Sequence, residues 1–216
     1  MFQFPKSTEY GRRIAKQKFY DNLTVNASLK KIFSEEISSI IWRNKFSPET
    51  INLAKGSNVS EIEVLLIKCN QPSIDNRVLQ LIDREISFHI LFLLEYNDRF
   101  QAWIGYKEAS LSKADTFKVN RYYNTEWLKA EELSLSIDGL SLDAVYDNFV
   151  RQIAGDKLAV ESGTDLKQAI EESAELEKLK KQIATLGTKL KNEKQFNKQV
   201  EINLEIKLLN RKLSEY

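Results

Sequence analysis

His89-Ile-Leu-Phe-Leu-Leu-Glu-Tyr96, then Asn97-Asp98, then Phe100-Gln-Ala-Trp-Ile-Gly-Tyr106, is the stretch whose reading decides the fold. Two apolar runs joined by an Asn-Asp pair, residues that tolerate the backbone of a tight turn, predict a β-hairpin. Upstream, Ile62, Val64, Leu65, Leu66 and Ile67 lie between Gly56-Ser57-Asn58 and Pro72. A run that short and that rich in branched residues reads as a buried strand. A further strand around Thr116 to Tyr123 extends the sheet.

Helical spacing surrounds these strands. Asn26 or Ser28 is placed to cap a helix through Leu29, Ile32, Phe33, Ile37, Ile40 and Ile41, ending before Pro48, with Glu35 and Glu36 turned outward. Asn76 opens a shorter one on Val78, Leu79, Ile82 and Ile86, whose polar side holds Arg77, Asp83 and Arg84. Helix, strand, helix and three strands imply an α+β fold, a small mixed sheet with helices on one face. This core, with a basic N-terminal arm, spans residues 1–125.

Residues 126–160 form an acidic helical extension. Trp127 and Leu128 are expected to dock on the sheet, and Ser141 caps a helix using Val145, Phe149, Val150 and Ile153. Residues 164–216 contain no Pro, no Trp and a single glycine, Gly187. Leu176, Leu179, Ile183, Leu186 and Leu190 make a heptad seam, which fails at Glu193 and Asn197 and resumes in a new phase with Ile202, Ile206, Leu209 and Leu213. A seam broken in this way implies two helical stretches with different partners, or a hairpin turning near Asn192–Asn197. Either way it predicts a protruding coiled-coil-like arm, and those nine residues are the candidate partner-binding surface.

Composition limits the function classes. The 216 residues hold 32 Lys and Arg against 31 Asp and Glu, so no bulk field selects a partner. Distribution says more: residues 1–31 carry a local +5, 126–177 a local −9 and 178–216 a local +6. Such a chain either contacts polyanions locally or clamps its ends onto its own middle. One cysteine, Cys69, and one histidine, His89, exclude disulfide scaffolds and zinc sites built from those residues. No apolar run approaches a membrane span, and the first residues lack a signal-peptide layout, so a cytoplasmic protein is expected.

Chemistry-bearing motifs are sparse. His89 opens an apolar strand and Cys69 closes one without a CxxC companion, so both read as structural. GxxxxGK[ST], GxGxxG and GxSxG are absent, and with them the phosphate cradles and nucleophile elbows of those kinds. No cofactor is implied. Glu61 and Glu63 share one face of their strand, with Lys68 opposite by parity, which leaves a carboxylate-based Mg²⁺ nuclease site open only as an alternative. Lys6, Arg12, Arg13, Lys16 and Lys18, interleaved with Tyr10, Phe19 and Tyr20, suit a phosphate backbone and unstacked bases. Tyr20 and the five cations are therefore the candidate nucleic-acid contacts. The same residues also suit an arm that packs its aromatics on its own sheet and leaves its cations in water.

Several stretches resemble the bacterial domain of unknown function 4391 family. They are Phe4-Pro-Lys-Ser-Thr-Glu9, Arg13-Ile-x-Lys-x-Lys-Phe-Tyr20, Ile41-Trp42-x-x-Lys45-Phe-Ser-Pro-Glu-Thr50 and Leu79-x-Leu-Ile-Asp83. Ala15 stands where that family often has proline, leaving the arm freer to be helical. The family has no assigned catalytic residues to carry over. Its resemblance to accessory genes beside helicases and site-specific DNA methyltransferases implies a role in restriction-modification-like defence against foreign DNA. The expected function is a non-catalytic adaptor subunit of such a complex. It would dock a protein partner, a helicase or methyltransferase, through the helical arm and contact DNA through the basic arm. A divergent metal-dependent nuclease is the alternative.

Overall fold

The structure, a computed structural model, describes residues 4–21, 26–109, 117–158 and 165–215. In chain order the elements are β1 (Glu9–Ile14), α1 (Lys18–Asp21), α2 (Ala27–Glu36), β2 (Ile37–Phe46), α3 (Pro48–Ile51), β3 (Ile62–Cys69), α4 (Asn76–Glu85) and β4 (His89–Tyr96). There follow β5 (Arg99–Ala109), β6 (Phe117–Asn124), β7 (Leu128–Lys129), α5 (Leu142–Ala154), α6 (Leu166–Asn192) and α7 (Phe196–Leu213). The strands form one mixed sheet in the order β1-β2-β3-β4-β5-β6, with β7 beside β5. Only β3 and β4 run parallel, because α4 carries the chain across between them. The α+β class and the mixed sheet expected from the sequence are what the structure has. Two compact units divide it, Met1–Gly155 and Asp156–Tyr216.

The hairpin at the centre of the first reading is present. β4 and β5 pair from Leu91↔Ile104 to Tyr96↔Arg99, and Asn97 and Asp98 both take positive φ, 46° and 59°. That is the backbone a two-residue turn needs to match the strands' twist. β4 is buried on both sides from His89 to Leu94. Ile90, Phe92 and Leu94 join Phe19, Phe33, Val78 and Ile82 in a core under α1, α2 and α4. The alternate residues of β4 face the opposite way. There α5 adds a second cover: His89 meets the Tyr146 ring at 4.4 Å, and Phe46 meets Phe149 at 6.0 Å. α5 therefore belongs with the sheet unit. Asp143 in its first turn accepts from the backbone N–H groups of Ser57, Asn58 and Val59, at 2.7, 3.1 and 2.7 Å, and pins the approach to β3.

Three expectations change. The helix begins where Asn26 places it, its side chain accepting from Leu29 N at 2.8 Å, but it ends at Glu36. Ile37, Ile40 and Ile41 belong to β2, which pairs with β1 and β3. Their spacing fits the helical period. A register shift between Ile37 and Ser39 nevertheless lets Ile37 and Ile40 share one core from a strand. β-branched residues with two ready strand neighbours then resolve toward sheet. Glu36 is not simply outward: it accepts from Asp75 N at 2.7 Å and so fixes the start of α4. The N-terminal arm is α-helical only in the single turn of α1, since residues 9–14 form the edge strand β1.

In the second unit α6 and α7 pack together, joined by Glu193–Gln195. The Glu193 carboxylate accepts from the N–H groups of Lys194 and Gln195, both at 2.9 Å, closing one helix and starting the next. The arm is thus a helical hairpin. Leu179 and Ile202 are buried, and Leu176, Ile183, Leu186, Leu190, Ile206, Leu209 and Leu213 are half-buried. The seam assigned to a partner is largely consumed within the hairpin. Apolar surface left open on α7 lies instead on Phe196, Val200, Leu204 and Leu208. Thr116 and Thr164, expected element starts, lie outside the described residues.

Candidate functional site

A cleft of about 610 Å³ opens between β1, α1 and the end of α4, floored by β2 and β3. Its position follows from a bulge. The β1–β2 register shifts between Glu9 and Arg12, and Gly11 inside the bulge has φ +62°, a left-handed conformation in which a Cβ is strained. Beyond the bulge Arg12 and Arg13 pair with Trp42 and Ile41, and Tyr10, Arg12 and Arg13 line the cleft. Lys18 and Phe19 of α1 line a second side, and Ile86 and Phe88 a third.

A continuous chain of contacts runs from the rim to the floor. The Arg12 guanidinium lies over the Tyr10 ring, 4.7 Å from its centroid, and Tyr10 packs on Trp42 with centroids 4.4 Å apart. Trp42 Nε1 donates to Glu63 Oε2 at 2.6 Å. Glu63 is 1% exposed, and the neighbouring Glu61 carboxyl shares a side-chain hydrogen bond with it. Burial pushes this carboxyl up to about 8, opposed by the Trp42 hydrogen bond and helped by the negative charge of Glu61. Burial therefore favours the neutral acid at Glu63.

Glu61 and Glu63 have a lysine neighbour other than Lys68. Lys68 does face away, pairing with Glu95 at 3.3 Å, but Lys45 of β2 reaches Glu61 Oε2 at 2.8 Å beside Glu63. Cross-strand pairing of Lys45 with Glu63 brings that lysine in, which spacing along a single strand does not reveal. The hydrogen bond to Glu61 raises the Lys45 ammonium's affinity for its proton. Among the described residues no three His, Cys, Asp or Glu side chains gather to hold a metal ion.

The candidate nucleic-acid contacts separate in space. Arg12, Arg13 and Lys18 line the cleft. Lys16 does not: its Nζ donates to the Ile37 carbonyl, which ties the end of β1 to β2. Burial, then the charge of Arg13, lowers its proton affinity. Lys6 is exposed on the turn before β1, and the side chain of Tyr20 lies outside the described residues.

A second group of buried polar residues joins α4 to β5 and β6. Asp83, expected on the polar side of its helix, is buried and pairs with Lys107 at 2.8 Å. Tyr122 Oη donates to its other oxygen, and Lys107 Nζ also donates to the Phe88 carbonyl at 2.6 Å. Tyr146 Oη donates to the Gly105 carbonyl and accepts from Lys107 N at 3.3 Å. Burial, then the charge of Lys107, pushes His89 down to about 3, so it stays neutral. Burial pushes the Cys69 thiol up to about 12, far from a reactive thiolate. Nothing in this group opens on a cavity comparable to the β1 cleft.

No curated protein and no solved structure matches the chain. The family model described as Domain of unknown function (DUF4391) matches residues 2–213. With the match covering nearly the whole chain, hairpin arm included, the protein belongs to the DUF4391 family.

Proposed function

We propose that this chain is a non-catalytic accessory subunit of a DNA-processing complex of the restriction-modification-like defence kind, touching nucleic acid through the β1 cleft and docking a protein partner through the α6–α7 arm. The observation that carries the nucleic-acid half is the gathering of Arg12, Arg13 and Lys18 around the stacked Tyr10 and Trp42 rings. Cations track phosphates, and aromatic faces take bases irrespective of sequence. A cationic edge strand also discourages edge-to-edge pairing of sheets, so charge alone is weaker support than charge joined to aromatics in a concavity. No helix among the described residues is long and apolar enough to cross a membrane.

Fluorescence anisotropy against salt tests this reading. Three cations engaged on phosphates give a log–log slope of roughly −2 to −3. The triple variant Arg12→Ala/Arg13→Ala/Lys18→Ala flattens the slope and weakens all sequences alike. Unchanged binding by that variant sinks the reading. A divergent metal-dependent nuclease stays as second reading because Lys45, Glu61 and Glu63 converge. Mg²⁺- or Mn²⁺-dependent cleavage by the pure chain, lost in Glu63→Ala, decides for it.

A further inference from the structure

We infer that the outer face of α7 is a homodimerisation surface, on which a second copy of this chain lays its own α7 antiparallel about a two-fold axis at the level of Ile202. This goes beyond the proposed function and does not rest on it.

Phe196, Val200, Leu204 and Leu208 recur every four residues and are 74, 42, 56 and 65% exposed. That spacing keeps them neighbours along one side of the helix. It is not the side turned to α6. On the heptad that places Ile202, Ile206, Leu209 and Leu213 in the seam, Val200, Leu204 and Leu208 take outer positions. α7 is therefore apolar on two faces, and the hairpin covers one of them. The other large apolar side chains exposed among the described residues are Tyr10 and Phe88 at the cleft and Leu140 before α5. Grouped apolar residues at the surface mark an interaction site where single ones do not.

Charges beside the stripe select the occupant. A two-fold axis at Ile202 sets Phe196 opposite Leu208 of the second copy and Val200 opposite its Leu204, so every residue of the stripe meets another. The same axis brings Lys198 within one residue of register of Glu205 of the second copy, and Arg211 opposite its Glu193. Each pairing occurs twice, because a two-fold interface is isologous. Lys198 and Glu205 lie seven residues apart in their own helix, about 10 Å along it, too far to pair with each other. Arg211 meets Glu215 of its own helix at 4.0 Å with both side chains exposed, which leaves it accessible to a second acid. A parallel arrangement would set Arg211 beside its own copy. Stripe and flanks thus complement themselves in one orientation, as an isologous interface requires. Four side chains on one helix fall short of the standard interface of about 800 Å² per partner, so the dimer is reversible.

Sedimentation of the pure full chain over roughly 1 to 300 μM tests this, at physiological salt because the local +6 of residues 178–216 opposes pairing when unscreened. The weight-average mass is expected to rise from 25.1 kDa towards twice that value. Leu204→Glu places a charge inside the stripe and is expected to weaken association on the order of a hundredfold. Its circular dichroism stays helical, since the site is exposed. Lys198→Glu and Glu205→Lys each weaken association about tenfold, and the double variant regains the parent's affinity. Because the two residues do not touch within one chain, that recovery reports the second copy.

A chain that stays at 25.1 kDa throughout overturns the inference and leaves the α7 face to the foreign partner of the proposed function. A dimer untouched by Leu204→Glu overturns it too, because the interface then lies elsewhere. A double charge variant no tighter than the single ones removes the antiparallel register, and the inference with it. The mass of the unaltered chain decides even where a variant does not fold.

Discussion

Glu63 and Asp83 are both buried carboxyl groups in the sheet unit, and they differ in what surrounds them. Asp83 is closed in, one oxygen on Lys107 and the other taking the Tyr122 hydroxyl. Glu63 has Trp42 on one oxygen and the Glu61 carboxyl as its other neighbour, at the floor of an open cleft. Burial favours the neutral acid at both sites. At Asp83 the bonded Lys107 ammonium and the Tyr122 hydroxyl pull against it. At Glu63 the Trp42 N–H and the nearby Lys45 charge do, while Glu61 adds a second acid. Burial by itself therefore does not mark a functional residue. A polar group closed in on every side holds structure together, and one that borders a cleft is placed to act on what enters it.

The largest expected effect is at the closed site. Lys107→Met strands the Asp83 charge and is expected to cost about 3–5 kcal/mol in urea denaturation, most of it recovered in the double variant with Asp83→Leu. A nearly neutral single variant would remove the distinction between the two acids. Next is pH, where the two regions act with opposite signs. Glu63's pKa is raised in the fold, so its contribution is present at acid pH and lost as pH rises from the ordinary carboxylate range through about 8. The steepest slope is about 1.4 kcal/mol per pH unit. Glu63→Gln flattens that alkaline limb.

His89, beside the closed group, is depressed to about 3. Its contribution is present above the ordinary imidazole range and lost as pH falls through it, and His89→Gln flattens the acid limb. Chemical denaturation across pH reads both, and a single limb unaffected by either variant breaks the comparison. Smaller is Gly11→Ala, which puts a Cβ on a left-handed backbone and costs about 1–2 kcal/mol while displacing Tyr10 and Arg12 from the cleft. Smallest is the triple variant of Arg12, Arg13 and Lys18, expected within about 0.5 kcal/mol of the parent because exposed cations add little to stability. Unfolding of that variant would make the open site structural after all.

Much of the fold was legible because local signals agreed with burial. The Asn97-Asp98 turn, the β3 run and the caps at Asn26 and Ser141 each lie in a few residues, and the structure has them all. The stretch 37–46 misled because its isoleucines fit a helical period, while strand partners on both sides decided the outcome. Asp83 looked outward because its helix face holds Arg77 and Arg84, and its cation comes from β5. Half the site was visible as a basic–aromatic run. Glu63's bond to Trp42 and Lys45's approach were not, because both depend on pairing between strands.

The sequence by itself determined an α+β chain with a hairpin at its centre, a break in the C-terminal seam at Glu193 and a cationic, aromatic first segment. Each of these is set by neighbours within a turn or two of chain. Only the tertiary structure decided that the seam closes on itself, that Lys16 is spent on a backbone carbonyl and that β1 bulges at Gly11. It alone decided that Glu63 is buried between Trp42 and Glu61. Such outcomes depend on which distant groups arrive to satisfy a buried atom, and chain spacing carries no information about partners brought by the sheet.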